Sequence, residues 1–183
     1  MDIGLSLIYA VITTKVFNID LTSTIILLSI AFGLLPDIDM SVEIFKKGAF
    51  HGNGDKFHRT ITHFPILYLP IIPFIFYRYG NFWGTLFTVN LFSHFIHDVI
   101  GTGWGLKLLW PFSKKNFKMF SDPINGKLST NFIVSWNPRE LKISVERYGD
   151  KHWFKNLYLN FSNVFLLELL FLVIGIAVVL IAL

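Results

Sequence analysis

Asp37, Asp39, His58, His63, His94 and Asp98 stand in three short motifs: Pro36-Asp37-Ile38-Asp39, His58-Arg59-Thr60-Ile61-Thr62-His63 and His94-Phe95-Ile96-His97-Asp98. Carboxylates and imidazoles are the oxygen and nitrogen ligands of hard and borderline divalent ions. On a helix, His94 and Asp98 are four apart and lie on one face, flanked by His97 as a further candidate ligand. The chain has no cysteine, so thiolate ligands and disulfides are excluded, and Zn, Mn, Mg or Fe suit the set. Six or seven such ligands exceed the three or four of one zinc site. Two ions about 4 Å apart, bridged by Asp37 or Asp39, would clamp a phosphoester. One ion, with the remaining groups orienting its ligands, is the other arrangement. Asp39, Arg59 and Asp98 are the candidate catalytic residues, Arg59 because its planar guanidinium can hold a phosphate oxygen in a fork. Anchoring to lipid headgroups is the plainer role for Arg59.

These groups sit in an apolar chain. Of 183 residues, 53% are hydrophobic, 15% are charged and 20 are Phe, with a mean hydropathy of +0.56. Soluble domains are nearer a quarter charged. An integral membrane protein is the natural class. Five apolar segments must position the motifs: Ile3 to Phe17, Leu21 to Leu35, Phe64 to Tyr79, Phe82 to Ile100 and Val164 to Leu183. The first two are short for a bilayer and read as thin spans or a re-entrant hairpin turning at Asn18-Ile19-Asp20. Pro65, Pro70 and Pro73 kink the third. The last is a transmembrane helix interrupted by Glu168, which snorkels or serves the site. No cleaved leader is expected, because Met1-Asp2 lacks a positive start.

The expected fold is an all-α membrane bundle of about five segments with a small cytoplasmic β-containing cap. Residues 1–113 form the membrane domain with the metal site, 114–149 a β-rich insertion, and 150–183 an interfacial helix followed by the last span. Leu141, Ile143 and Val145 alternate with polar residues and predict a strand. Asn125-Gly126 and Asn137-Pro138 predict turns. Trp104 to Phe112 predicts an interfacial anchor, and Trp153, Phe154, Leu157, Tyr158 and Phe161 an apolar helical stripe in the interface. If all five segments span, residues 37–63 and 101–162 share one side and carry fourteen of the sixteen Lys and Arg residues. The positive-inside rule makes that side cytoplasmic, and gathers the three motifs there.

The order and spacing of the motifs, with Gly101 to Phe112 following, resemble a family described as LexA-regulated, inner-membrane, metal-dependent hydrolases. The resemblance covers roughly residues 30–113. It implies a hydrolase of the inner membrane with metal ligands at Asp37, Asp39, His58, His63, His94 and Asp98; residues 114–183 carry no part of it. Combined with the chemistry above, the expected function is hydrolysis of a phosphoester in a lipid or lipid-linked substrate. It would use one or two divalent ions, Zn or Mn first and Mg next. A structural metal site and a metal-ion transporter are the competing classes, although transporter sites lie at mid-membrane on broken helices. Membrane lipid is the expected partner. The basic residues border a bilayer without a recognition motif, which argues against nucleic acid.

Overall fold

The structure is a computed structural model describing residues 1–39, 61–150, 152, 153 and 155–183. His58 and Arg59 lie outside the described residues, as does the segment 40–60 that holds them.

The chain forms two compact units, each gathering distant stretches. The first comprises Met1–Pro36, Tyr68–His94 and Phe154–Leu183. Here α1 (Asp2–Phe17) and α2 (Ser23–Leu34) form a hairpin. Asn18, in the left-handed conformation at φ 51, ends α1, and the Thr22 side chain caps α2 by accepting from the Ile25 amide. The turn at Asn18-Ile19-Asp20 is where the sequence placed it. A second hairpin joins α3 (Ile71–Tyr79) to α4 (Asn81–Ile100) through Gly80 at φ 86, a conformation that favours glycine. Ala10, Ile25, Phe82 and Leu86 build the core of this unit. The last helix, α6 (Asn163–Ala182), packs against α1 where two glycines let the backbones approach. A Cβ on Gly4 would run into the Phe171 carbonyl, and one on Gly175 would lie 2.6 Å from the Gly4 carbonyl oxygen. Small residues at such a crossing are the usual device of helices in lipid.

The second unit comprises residues 37–67 and Phe95–Trp153. Its sheet has two antiparallel strands, β1 (Asn116–Ser121) and β2 (Leu128–Trp136), with Asn116 opposite Trp136 and a bulge at Phe120, φ 51. Asn125-Gly126 lies in the connection, as expected. Trp104, Val134 and Trp136 form the core, with the two indoles edge to face at 5.6 Å. Trp104 is therefore not an interfacial anchor. Lys118 is 4% exposed, and its Nζ donates to the carbonyls of Gly103 at 2.7 Å and Gly126 at 3.0 Å.

The strand expected at Leu141 to Val145 is instead part of α5 (Pro138–Tyr148). Asn137 accepts from the amides of Arg139 and Glu140, while Glu140 accepts from the Asn137 amide, a complete capping box with Pro138 in the first turn. Helical spacing puts Leu141 and Val145, four apart, against the tryptophan core and leaves Ile143 exposed. The interfacial stripe at 153–161 is not a helix of that length either. Lys155–Leu159 forms a single wide π turn, and Phe154 lies outside the described residues.

The five-span bundle is overturned. Among the described residues one helix, α6, is long and apolar enough to cross a membrane. Its 20 residues give about 30 Å, matching a hydrocarbon core. By contrast α1 has 16 residues and α2 has 12, about 24 and 18 Å. Segment 64–79 is divided between a short 3-10 turn at Pro65–Tyr68 and the nine-residue α3, separated at Pro70. Helix α4 has the length but carries Asn90, His94, His97 and Asp98. With one such helix, the alternation of sides that placed the basic connections in the cytoplasm loses its basis.

Candidate metal centre

Asp37 closes a 3-10 turn, Leu35–Asp37, that continues from α2. Leu35 keeps helical angles (φ −57, ψ −42) despite preceding Pro36, but Pro36 lacks an amide hydrogen to continue the α-helical bonding. His63 closes a second 3-10 turn, Ile61–His63, and Asp98 lies in the last turn of α4. Local chain geometry thus delivers each side chain from the end of an element rather than from its middle.

In the second unit, His63 is fully buried with carboxylates around its ring. Nε2 lies 3.4 Å from Asp37 Oδ1 and 3.3 Å from Asp98 Oδ2. Nδ1, across the ring, lies 3.6 Å from Asp39 Oδ2 and 3.3 Å from Thr62 Oγ1. Burial opposes a charge on this imidazole, but its contacts with Asp37 and Asp39 and the nearby charges of Asp98 and Asp39 outweigh burial, raising its pKa above 6.5. Three carboxylates surround the one imidazole, two of them, Asp37 and Asp39, partly exposed.

The spacing fits a shared ion. Ligands about 2.0–2.2 Å from one zinc stand about 3.3–3.6 Å apart in a tetrahedron, the range of the two Nε2 contacts. Asp37 and His63 belong to a His/Asp group able to hold a metal, with ligand atoms within 4.8 Å of one another. Asp39, on the opposite nitrogen, stands where carboxylates orient a ligating histidine.

In the first unit, His94 is 2% exposed, one turn before Asp98 on the unbroken α4. Asp2 Oδ1 lies 3.8 Å from its Nδ1. Asp2 was missed in the sequence because it stands alone at the start of α1, and only the fold brings it near His94. His97 is half-buried, with its ring beside Gly101. Glu168 pairs with the Met1 ammonium at 3.7 Å and accepts from the Tyr158 hydroxyl at 3.4 Å. It lines a cavity of about 270 Å³ with Asp2, Leu34 and Phe165.

One long lipid-compatible helix and a buried His/Asp cluster define a membrane protein with a candidate metal site. The chain belongs to the family described as YdjM inner membrane protein, which it matches over residues 3–183. This agrees with the inner-membrane part of the sequence resemblance and extends it over the last third of the chain. No curated protein and no solved structure matched the chain.

Proposed function

We propose that the protein is a metal-dependent hydrolase attached to the membrane, acting on a phosphoester of a lipid or lipid-linked substrate. The observation that carries this reading is the convergence of Asp37, Asp39 and Asp98 on the buried ring of His63. Asp37, His63 Nε2 and Asp98 would hold the ion, and Asp39 would fix His63 through Nδ1. His94, one turn before Asp98 on the same helix, is a further candidate ligand on that spacing alone, which sets two ligands on one face. A divalent ion, Zn or Mn before Mg, supplies Lewis acidity and neutralises the carboxylates. The three carboxylates would offset the charge of the ion, which would displace the proton that they favour on His63. With α6 in the bilayer, a lipid headgroup is the phosphoester most concentrated near the chain.

Zn²⁺ or Mn²⁺ titration of the detergent-solubilised protein, followed by turnover of a phospholipid in mixed micelles with and without chelator, tests this. Saturable binding and chelator-sensitive turnover are expected. Binding without turnover would make the site structural, and turnover unchanged by chelator would remove the metal from the reaction.

A further inference from the structure

Asp2 belongs to none of the three motifs, yet its carboxylate, 15% exposed, lies 3.8 Å from Nδ1 of the buried ring of His94 on another helix. An acidic residue in the first turn of a helix is ordinarily explained by the positive end of the helix dipole. That explains a carboxylate at the start of α1, but not its approach to an imidazole. A carboxylate beside Nδ1 also occurs at His63, where Asp39 lies 3.6 Å from that nitrogen. Histidines that ligate metals almost always give their other ring N–H to such an acceptor, which fixes the tautomer and the ring.

We propose that Asp2 is a positioning residue, holding the proton of His94 on Nδ1 so that Nε2 is the nitrogen offered to the metal. This rests on the metal reading above. At 3.8 Å the pair is at ion-pair distance and longer than a hydrogen bond. Bringing it to hydrogen-bond length takes a movement of under about 1 Å.

The test uses the full-length protein in detergent, with Asp2→Ser and Asp2→Glu. Serine keeps a polar residue suited to a helix start but is too short to reach His94, whereas glutamate restores the carboxylate. Zn²⁺ affinity is expected to fall 10- to 100-fold in Asp2→Ser and to recover in part in Asp2→Glu, with the metal-free melting temperature little changed. Nitrogen-15 imidazole spectra of the metal-free protein, with the His94 signal assigned through His94→Gln, give an independent readout. His94 should be the Nδ1–H tautomer in the wild type and lose that preference in Asp2→Ser. Unchanged affinity and an unchanged tautomer in Asp2→Ser would overturn the proposal. If the wild type binds no Zn²⁺, the metal reading fails on its own. The spectra still decide Asp2: a tautomer that responds to Asp2→Ser supports its positioning role, and one that does not overturns it.

Discussion

Two groups of buried polar side chains invite comparison. In the first unit, Ser29 Oγ donates to the Ser6 carbonyl at 2.7 Å, and Asn90 Nδ2 donates to Ser29 Oγ at 3.0 Å and to the Leu86 carbonyl at 2.8 Å. All three residues are about 1% exposed or less and uncharged. In the second unit the group is buried His63 and Asp98 with the partly exposed Asp37 and Asp39, every member titratable. The serine–asparagine chain ties α1, α2 and α4 with neutral hydrogen bonds and carries no charge. The His63 group concentrates negative charge. Replacing such a group by apolar residues often costs a fold nothing, so its presence calls for a use of the charge. Burial of polar groups alone therefore does not distinguish the two groups; their titratable chemistry does.

The sharpest break of this comparison is at His63. His63→Ala should abolish measurable Zn²⁺ or Mn²⁺ binding by calorimetry, because it removes the atom that two carboxylates share. Asp98→Asn keeps the shape and removes one charge, and a loss of 10-fold or more is expected, at least the scale of changes to groups behind the ligands. Wild-type affinity in both variants would leave the cluster as a structural imidazolium held by carboxylates.

Next in size is the dependence on pH. Because the folded-state pKa of His63 is raised above 6.5, its proton stabilises the metal-free fold fully below about pH 6.5. That contribution is lost as the pH rises through the folded value. An ion competes for the same nitrogen, so metal affinity should rise across the window in which metal-free stability declines. Melting curves and titrations from pH 5.5 to about 8.5, flanking the ordinary histidine value, measure both. Parallel rather than opposite trends would show that His63 is not where the proton and the metal meet.

Ser29→Ala should act in the other direction, on stability alone. It leaves Asn90 Nδ2 and the Ser6 carbonyl each with one partner fewer, a loss of about 1–3 kcal/mol. Thermal melting would show it, while metal affinity should stay within about two-fold, well short of the 10-fold scale of a change at the site.

The candidate ligands stood out because their residue types are few and their motifs compact: Asp37, Asp39, His63, His94 and Asp98 announce themselves by chemistry. Asp2 did not, since a single carboxylate at the start of a helix has an ordinary explanation. The segment Leu141 to Val145 was misread because alternation and helical spacing coincide over five residues. The local signal that decides, Asn137 and Glu140 three apart around Pro138, was read only as a turn. The count of spans failed for a related reason. Apolar content was summed along the chain, but a span needs unbroken length, and the prolines of residues 65–73 and the polar face of α4 deny it. Where both length and composition agreed, at α6, the reading held.

The smallest expected effect tests whether the two groups are independent along α4. The Tyr9 hydroxyl donates to Ser93 Oγ at 3.1 Å, one residue before His94. Tyr9→Phe removes one part-buried neutral hydrogen bond and no volume, so about 0.5–1.5 kcal/mol of stability is at stake. In a chain of this length that is a shift of a few degrees in melting temperature. If the neutral bonds only tie helices together, metal affinity should be the same in Tyr9→Phe and wild type. A fall approaching ten-fold would mean that the register of α4, and with it the pose of His94, depends on Ser93 being held. The contrast between a structural and a functional polar group would then give way to one coupled network, and a Tyr9→Phe/Asp2→Ser double-mutant cycle would measure the coupling.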